Sequence, residues 1–401
     1  MNNHLHIFHL SRYSRLCCLV IALMLANLGL QAQSEGMNLQ QAIDYALANH
    51  PDIQDAQLNI QDAEVQIREN LATGLPQITG SGQYQYYFEV PVVPLPPEFT
   101  GGGDPQEVSF VLRNNLTGGI NLNTMIFNAS YFVGLRAARA SRSYAQLELS
   151  EQKRQVTQQV RDAYLPLLLI NSNLIQLDKN IASIEKLFQA TQATYEEGFI
   201  EQLDVDRLEL TLLNLQTERE NLDRQYDMAE EFLRFTLNYP ATETLEIEDD
   251  LDAILADTND DLIVTKLDYN LLPGMGLFDQ AVALNGLNVE LSKSRRLPSL
   301  AGFAGYQYQY QGNDFSSGFW APTGFLGVSL NVPIYDGGYN KSLIQRAEIA
   351  QEQIVLQRET YRRALDLDAK NARIAYQNAQ DRLADRDRNL ALAQRIYDTT
   401  K

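Results

Sequence analysis

The sequence predicts a mixed α and β membrane protein with two internal structural repeats. Each chain would give four strands to a β-barrel shared between several chains, and long coiled-coil helical hairpins to a second, helical part. Three observations predict this fold. The chain matches itself at shifts of 222 and 208 residues. Four segments alternate apolar and polar residues over the length of a strand. Two further segments carry apolar residues at alternating steps of four and three.

Residues 1–32 have the features of a secretory signal peptide. Arg12 and Arg15 precede an apolar run at 16–30, and Ala32 offers a small residue for cleavage. The run is shorter than the roughly 20 residues that a membrane helix needs, so a short N-terminal anchor is the less favoured alternative.

The residues after position 32 argue against an enzyme. Cys17 and Cys18 lie inside the signal, and His50 is the one histidine beyond it. This excludes a thiol nucleophile, a His-dependent triad and a multi-His metal site, and nothing places two acids in one pocket for hydrolysis. We expect no catalytic residue, no metal and no cofactor, with His50 as a surface turn residue before Pro51. The net charge of −19 argues against nucleic acid as a partner.

Two copies of one element order make up most of the chain: helix, Leu-Pro, strand, loop, strand, join and long helix. A shift of 222 aligns "GSGQYQY" at 80–86 with "GFAGYQY" at 302–308, and it aligns the strand-entry residues Pro76 and Pro298. A shift of 208 aligns "GINLNTMIFNASY" at 119–131 with "GVSLNVPIYDGGY" at 327–339. Two unrelated domains of similar composition are the alternative.

The repeats predict the domain boundaries. We expect a first repeat at 33–240, an acidic linker or equatorial segment at 241–272, and a second repeat at 273–401. The acids at 246–252 lack the ligand spacing and central glycine of a calcium loop, so a solvated linker is the preferred interpretation. By the register of the repeat, the second copy ends before its hairpin turn, which indicates truncation.

Each of the four predicted strands separates an apolar face from a face of mostly Gln, Asn, Ser and Thr. The apolar faces hold Ile78, Gly80, Gly82, Tyr84, Tyr86, Phe88 and Val90; Val108, Phe110, Leu112, Leu116, Ile120 and Leu122; Tyr306, Tyr308 and Tyr310; and Leu326, Val328, Leu330 and Val332. A soluble sandwich turns such polar faces to water, whereas a membrane barrel turns the apolar faces to lipid and the polar faces to its lumen. Strand length, tyrosine-rich faces and the export signal favour the barrel.

Four strands are too few to close a membrane barrel, so several chains must share one. Two chains supply eight strands, and side chains fill the interior of an eight-stranded barrel. A conducting pore therefore favours at least three chains. Segments 90–107 and 311–322 are predicted as the loops between paired strands, with Phe319 and Trp320 inside the second loop.

A coiled-coil seam follows the second strand of each copy. The first seam consists of Val156, Val160, Ala163, Leu167, Ile170, Leu174, Leu177, Ile181, Ile184, Phe188, Thr191 and Tyr195. Gly198 breaks this pattern, and a second helix runs back, which predicts an antiparallel hairpin. A similar seam runs from Leu365 to Tyr397 in the second copy.

The join between strand and helix differs between the copies. In the second copy, Pro333 ends strand pairing because it lacks an N–H, Asp336 can cap the following helix, and Gly337 and Gly338 permit unusual backbone angles. The first copy keeps a capping residue, Asn128, without the proline or the glycines. We interpret the join as a hinge between barrel and helices.

The duplicated Leu-Pro-strand, the join at 333–338 and the turn "YEEGFIEQLDVDRLEL" at 195–210 resemble the TolC-type outer membrane efflux proteins over about residues 38–401. The resemblance implies a homotrimer with a 12-stranded barrel in outer membrane lipid of a Gram-negative bacterium, continued by a periplasmic α-barrel. It implies an exit duct of a tripartite efflux pump or type I secretion system, with a periplasmic adaptor and an inner-membrane RND or ABC transporter as partners. The alternative function is a soluble periplasmic coiled-coil adaptor or scaffold.

The same resemblance assigns residues at the periplasmic tip. In the family, the turn carries a glycine and, six residues on, an aspartate that helps to hold the entrance shut. Gly198 and Asp204 match, with Tyr195 before the turn. Asp204 is also open to interpretation as an N-cap or first-turn acid of the returning helix. The acidic balance suggests a lumen that prefers cations.

Overall fold

The computed structural model describes residues 36–96, 106–251, 254 and 268–400, so the predicted signal at 1–32 lies outside the described residues. The helices are α1 Leu39–Asn49, α2 Pro51–Thr73, α3 Ala129–Glu196, α4 Gln202–Leu237, α5 Pro273–Ser294 and α6 Tyr339–Thr400, with a short 3-10 turn at Tyr269–Leu271. The strands are β1 Gln77–Tyr86, β2 Val93–Leu95, β3 Gln106–Val108, β4 Asn114–Asn128, β5 Ser299–Gly312 and β6 Phe319–Asn331. None of the described helices has an apolar stretch long enough to cross a membrane.

The chain divides into two compact units. The described residues within Met1–Gln54 and Lys153–Leu262 form the hairpin unit, and those within Asp55–Gln152 and Ile263–Lys401 form the sheet unit. Helices α2 and α3 supply residues to both units.

The hairpin unit is built on the antiparallel pair α3 and α4. All twelve residues of the predicted first seam are buried or half-buried, and Val156, Val160, Ala163 and Leu167 form its most buried end. The guanidinium Nε of Arg219 on α4 lies 3.1 Å from Asp178 Oδ1 on α3. These contacts confirm the predicted seam and the returning helix, since period-3.5 apolar positions bury themselves against a second helix.

The chain after α4 packs back onto its own unit. Met37 and Ile247 form a parallel bridge, and Leu245 is buried. Asp249 Oδ2 accepts a hydrogen bond from the backbone N–H of Leu39 at 2.6 Å, where its charge suits the start of α1. Within the predicted solvated linker, Leu245 is buried and Ile247 is half-buried, whereas Glu246 and Glu248 are exposed as predicted. Asp252 lies outside the described residues.

A tyrosine completes this contact. The Tyr164 hydroxyl on α3 lies 3.0 Å from Asp249 Oδ2 and 2.9 Å from the Met37 carbonyl oxygen, and the ring is fully buried. Burial and the neighbouring carboxylate of Asp249 raise the pKa of Tyr164. The hydroxyl therefore stays neutral and acts as a hydrogen-bond donor that ties the segment to α3.

The sheet unit contains a four-stranded antiparallel sheet in the order β1-β4-β5-β6. One row across it joins Tyr84, Leu116, Tyr310 and Trp320. The central pair, β4 and β5, brings one strand of each predicted repeat side by side. Strands β1 and β6 form the two edges.

The strand boundaries differ from the sequence prediction. β1 stops at Tyr86 and β4 begins at Asn114, whereas the alternation predicted strands reaching Val90 and starting at Val108. Pairing ends with the bond from Tyr87 N to Arg113 O, and nearby prolines cannot extend a ladder. Residues 93–95 and 106–108 instead form a separate two-stranded ribbon, and all of them except Val108 lie within the predicted loop at 90–107.

The helices of the sheet unit follow the lateral order of the strands. Arg142 on α3 pairs with Glu64 on α2 at 2.8 Å, which links the first two helices. Gln280 on α5 donates to the carbonyl of Ala140 on α3 at 2.8 Å. Contacts between α5 and α6 include the ion pairs of Asp279 with Arg358 and of Lys293 with Glu348. The order α2-α3-α5-α6 matches β1-β4-β5-β6 because each helix is covalently continuous with its strand.

Candidate functional site: a two-faced sheet and its joins to the helices

One face of the sheet is apolar and uncovered. Its aliphatic and aromatic side chains are more than half exposed at Ile78, Tyr84, Ile120, Tyr306, Leu326, Val328 and Leu330. The pairing places them together: Ile78 opposite Leu122, Leu122 opposite Ala304, and Ala304 opposite Leu326. A contiguous exposed apolar surface of this kind marks contact with a lipid or a partner.

The opposite face is polar over β1, β4 and most of β5. Gln83, Thr117, Gln309 and Ala321 form one row of it, and Ser81, Gly119, Gln307 and Thr323 form the next. Asn121 Nδ2 donates to Ser81 Oγ across the strands at 3.4 Å. The separation of the two faces is the one that the sequence predicted.

The polar face also carries three phenylalanines. Phe303 lies opposite Gly327, Phe325 opposite Gly305, and Phe319 opposite Gln311. These phenylalanines are absent from the strand faces that the alternation predicted. Alternation along each strand could have placed two of them, because Phe303 is an even number of residues from Gln307 in β5 and Phe325 is an even number from Thr323 in β6.

The sheet ends in an aromatic cluster at the β5–β6 turn. Tyr310 is 4% exposed, stacks on Phe315 at 5.8 Å between ring centroids, and packs against Trp320 at 5.2 Å. The prediction that Phe319 and Trp320 lie in a loop is wrong, because both pair with β5 and the turn spans 313–318. Cross-strand aromatic contacts extend the ladder beyond the predicted loop boundary.

An aspartate shapes that turn. Asp314 Oδ1 accepts hydrogen bonds from the backbone N–H groups of Ser316 and Ser317 and from the Ser316 hydroxyl. These bonds to Ser316 and Ser317 lower the pKa of Asp314 to about 2. The carboxylate is therefore ionised, and can accept these three hydrogen bonds, at pH values above about 2.

The two strand entries have the same geometry. Before Pro76, Leu75 N donates to Ala72 O at 3.0 Å; before Pro298, Leu297 N donates to Ser294 O at 3.0 Å. β1 and β5 begin at the residue after each proline. Proline disfavours helix in the residue before it, so each helix ends and the chain enters a strand.

At the first join, strand passes directly into helix. β4 ends at Asn128 and α3 begins at Ala129, and Asn128 Oδ1 accepts a hydrogen bond from Ser130 N at 2.9 Å. Ser130 Oγ lies 2.9 Å from Ser294 Oγ at the end of α5. An ideal Cβ on Gly74 would lie 2.5 Å from the Tyr131 ring, so glycine is the residue that makes room for this tyrosine.

At the second join, an irregular segment separates strand from helix. β6 ends at Asn331, the residue opposite Ser299, and α6 begins at Tyr339. Asp336 accepts hydrogen bonds from Gly338 N through Oδ1 at 3.0 Å and from Asn340 N through Oδ2 at 2.9 Å. These backbone donors, Asn340 N first, lower the pKa of Asp336.

The backbone of the second join needs its glycines. Gly337 has φ +65° and Gly338 has φ +89°, values that residues with a Cβ rarely adopt. Ile334 and Tyr335 just before them are at least 90% exposed. Pro333, the predicted end of pairing, lies two residues beyond the last strand residue.

The tip of the hairpin unit is a helix C-cap followed by a short turn. Gly198 has φ +83°, its N–H donates to Tyr195 O at 2.8 Å, and Phe199 N donates to Thr194 O at 3.1 Å. These two bonds form a Schellman motif with Gly198 at C′. Phe199 is 75% exposed at the end of the tip.

The structure places Asp204 in the first turn of α4. Glu201 occupies the N-cap position, so the N-cap interpretation of Asp204 is wrong and the first-turn interpretation is right. Its carboxylate lies 3.6 Å from Arg207 on the same helix. A negative charge there is favourable for the helix whatever else it does.

His50 lies in the turn between α1 and α2, as predicted, but its side chain is half-buried and not fully on the surface. It is the C-cap of α1, its Nδ1 accepts a hydrogen bond from Asp52 N at 3.2 Å, and its side chain is 13% exposed. It lines a cavity of about 690 Å³ whose cation, Arg234, contacts Glu230 at 2.7 Å and the Pro240 carbonyl at 3.1 Å. That charge is compensated within the protein, so the cavity carries no inferred ligand.

The strand entries and the first join surround one hollow of the sheet unit. Leu75, Gln77, Asn128 and Ser299 line this cavity of about 280 Å³. Asn128 of the first join lines the cavity directly, and the entry residues Pro76 and Pro298 are adjacent in the chain to lining residues. The second join, by contrast, is open and exposed at Ile334 and Tyr335.

Comparison with known proteins identifies the family. Residues 42–238 and 280–401 match the family described as outer membrane efflux protein. The chain belongs to this family. It is therefore an outer membrane efflux protein of the kind found in Gram-negative bacteria, and such proteins extend into the periplasm.

Three relatives illustrate the likeness. The chain is 25% identical over 240 residues to outer membrane protein TolC of Vibrio cholerae serotype O1, covering 59% of this chain and 54% of TolC. It is 23% identical over 272 residues to the pyoverdine export outer membrane protein OpmQ of Pseudomonas putida, covering 66% and 56%. The chain thus spans about half the length of these curated relatives. The solved structure of CusC superposes with a TM-score of 0.70 at 17% identity, covering 89% of this chain and 79% of CusC, which shows the shared fold.

Proposed function

We propose that this chain is one subunit of a homotrimeric exit duct in the outer membrane. Three copies would close a 12-stranded barrel and would conduct substrates passively from the periplasm to the exterior. The duct would serve a tripartite efflux pump or a type I secretion system, docked to a periplasmic adaptor and an inner-membrane RND or ABC transporter. The observation that carries this proposal is the two-faced sheet with two open edges.

The sheet geometry supports shared closure. The edge strands β1 and β6 leave backbone N–H and C=O groups unpaired within the sheet, and such groups are too costly to leave in lipid. Pairing β6 of one copy with β1 of the next satisfies both edges. The apolar face then meets lipid and the Gln/Asn/Thr/Ser face meets water in the lumen, the arrangement typical of membrane barrels.

The two proposed repeats have matching local structure. Pro51 and Pro273, which are 222 residues apart, each begin a helix, and Gln77 and Ser299 at the same offset each begin a strand. The turns before Pro76 and Pro298 use the same hydrogen bonds. A duplicated unit explains why the helix order α2-α3-α5-α6 matches the strand order β1-β4-β5-β6 in the sheet unit.

The hairpin tip is the proposed docking and gating region. Gly198 turns the chain, Phe199 is exposed beside it, and Tyr195 and Asp204 flank the turn on α3 and α4. An exposed apolar residue at the end of a long hairpin is a suitable contact for a periplasmic adaptor. Asp204 would help to hold the entrance shut in the assembled trimer.

Electrical recording tests the channel. After mild extraction, the purified protein should migrate as a trimer. After reconstitution in a planar lipid bilayer, it should show stepwise ion conductance. The reversal potential in a salt gradient should indicate cation preference, as expected from the net charge of −19. A water-soluble monomer without conductance would instead support an adaptor or scaffold.

Cysteine labelling tests which face meets lipid. Single cysteines at Tyr84, Tyr308 and Val328 should react with a lipid-soluble maleimide and resist a membrane-impermeant one. Matched cysteines at the polar positions Gln83, Gln307 and Ser329 should show the reverse preference, because adjacent strand residues point to opposite faces. Equal labelling of both sets from water would contradict a barrel in lipid.

A further inference from the structure

The polar face of the sheet contains a pair of phenylalanines seated on glycines. An ideal Cβ on Gly327 would lie 2.5 Å from the Phe303 ring, and one on Gly305 would lie 2.5 Å from the Phe325 ring. Each ring therefore occupies the space that a neighbouring side chain would fill. The two rings contact each other, with centroids 6.2 Å apart and planes tilted by 56°.

This seating keeps the rings against the wall and leaves them accessible. Phe303 is 37% exposed and Phe325 is 44% exposed in the single chain. Rings that lie over glycines gain contact with the backbone while one surface faces outward. The pair, which we call the Phe303–Phe325 pair, is thus an apolar patch of defined shape on a face otherwise made largely of amides and hydroxyls.

A polar acceptor adjoins the patch. Asn121 Oδ1 lies 3.0 Å from the same ideal Cβ position on Gly305 that meets the Phe325 ring. The Nδ2 of Asn121 is directed toward Ser81, which leaves the carbonyl end of the amide on the side of the ring. An apolar surface next to an amide oxygen suits a ligand that has an apolar group and a hydrogen-bond donor.

We propose that the Phe303–Phe325 pair is a contact site for cargo in the lumen, and that it binds the aromatic or alkyl part of an amphipathic organic cation. This proposal rests on the proposed function, because the polar face is the lumen only in the closed barrel. Three copies would place three such sites at one level. Aromatic rings attract both apolar groups and cations, and the acidic protein concentrates cations near the pore.

The chain offers a matched control. Phe319 lies on the same polar face of β6, opposite Gln311 rather than a glycine, and it is 56% exposed. Replacing it removes one phenyl group from the same face without removing a glycine-seated pair. A site built by Phe303 and Phe325 predicts that F303Q alone weakens cargo contact far more than F319Q, whereas general lumen hydrophobicity predicts equal changes for these two single substitutions.

Blockade events of two synthetic hexapeptides in the reconstituted channel test the proposal. One peptide has two central phenylalanines between arginine pairs, and the other has two serines in their place. In the wild-type protein, the phenylalanine peptide should dwell about three- to tenfold longer than the serine peptide. The double variant F303Q/F325Q should reduce that ratio to about one, and F319Q should leave it within about twofold of wild type.

A second variant keeps both phenyl groups. Gly327→Ala should push the Phe303 ring off its seat and shorten the dwell of the phenylalanine peptide, because the new Cβ collides with the ring. Open-channel conductance in potassium chloride checks that each variant assembles. A wild-type protein that does not conduct overturns the proposed function. A conducting protein whose dwell ratio is one, or is reduced equally by F319Q, overturns the cargo site alone.

Discussion

The two joins between strand and helix have equivalent positions in the sequence repeat and different structures. The first passes from Asn128 to Ala129 with no intervening residue, whereas the second uses residues 332–338. At the first join, Tyr131 packs against Gly74. The equivalent tyrosine at the second join, Tyr339, is 64% exposed, and the position equivalent to Gly74 is Arg296.

The difference shows that equivalent positions can form a packed connection in one place and an open connection in another. The first join is fixed by a cap, a side-chain contact between Ser130 and Ser294, and a ring seated on glycine. The second join keeps the cap, but it has no glycine under its tyrosine. Its strand pairing ends at Asn331, well before the helix begins. Its two glycines allow the chain to change direction without side-chain contacts. We infer that the second join is the softer of the two.

The largest expected effect on the free energy of unfolding is at Gly74, the glycine against which the Tyr131 ring packs. Gly74→Ala places a Cβ 2.5 Å from the ring and should lower the free energy of unfolding by about 1–3 kcal/mol. Urea unfolding of the detergent-solubilised protein measures this change. The matched variant R296A should stay within about 0.5 kcal/mol of wild type, because its side chain is exposed. Equal losses would show that the joins are not differently packed.

The next effect concerns backbone angle. Gly338→Ala forces a Cβ into φ +89° and should cost about 1–2 kcal/mol although nothing lies within 4 Å of that Cβ. Gly134, in the first turns of α3, is equally uncrowded but helical, so Gly134→Ala should stabilise by about 0.5–1 kcal/mol. The opposite signs in one unfolding assay identify backbone angle as the cause. A stabilising G338A would contradict it.

The smallest effect distinguishes the two caps by pH. The folded-state pKa of Asp336 is lowered by hydrogen bonds from backbone N–H groups, so its stabilisation is present above the ordinary pKa of 3.8 and is lost as pH falls through the lowered value. The difference in Tm between wild type and D336A should therefore shrink on acidification in that range.

The first join supplies the control for this pH effect. Asn128 is neutral, and N128A should cost about 1 kcal/mol at every pH at which the protein is folded. Thermal unfolding of both variants between neutral pH and pH 3 makes the comparison. A loss for N128A that falls with pH in parallel with D336A would rule out titration of Asp336 as the cause.

Local pattern was enough to predict the strand faces, the first seam and the capping residues. Period-two alternation decides which residues share a face, and steps of four and three decide which side of α3 meets α4. Asp336 and Asn128 were identified as caps because short polar side chains compete for the free N–H groups at a helix start. These features depend on residues close together in the chain.

Strand ends were less predictable because they depend on a partner. Alternation continues past Tyr86, but pairing stops where Arg113 accepts the last hydrogen bond and the prolines begin. The density of proline and glycine at 311–322 predicted that Trp320 lies in a loop. In the structure, Trp320 belongs to β6 because it pairs with Tyr310 of β5. The parallel bridge between Met37 and Ile247 likewise joins two residues that are far apart in sequence.

The sequence by itself determined the two faces of the sheet and the long hairpin, since each follows from the periodicity of neighbouring residues. Only the tertiary structure decided that Tyr131 has a glycine seat, that Tyr339 lacks one, and that Phe303 and Phe325 lie over glycines on the polar face. The physical reason is that these contacts join residues of different strands and helices. Whether a ring finds a glycine or a side chain opposite it is fixed by register, which is a property of the assembled sheet.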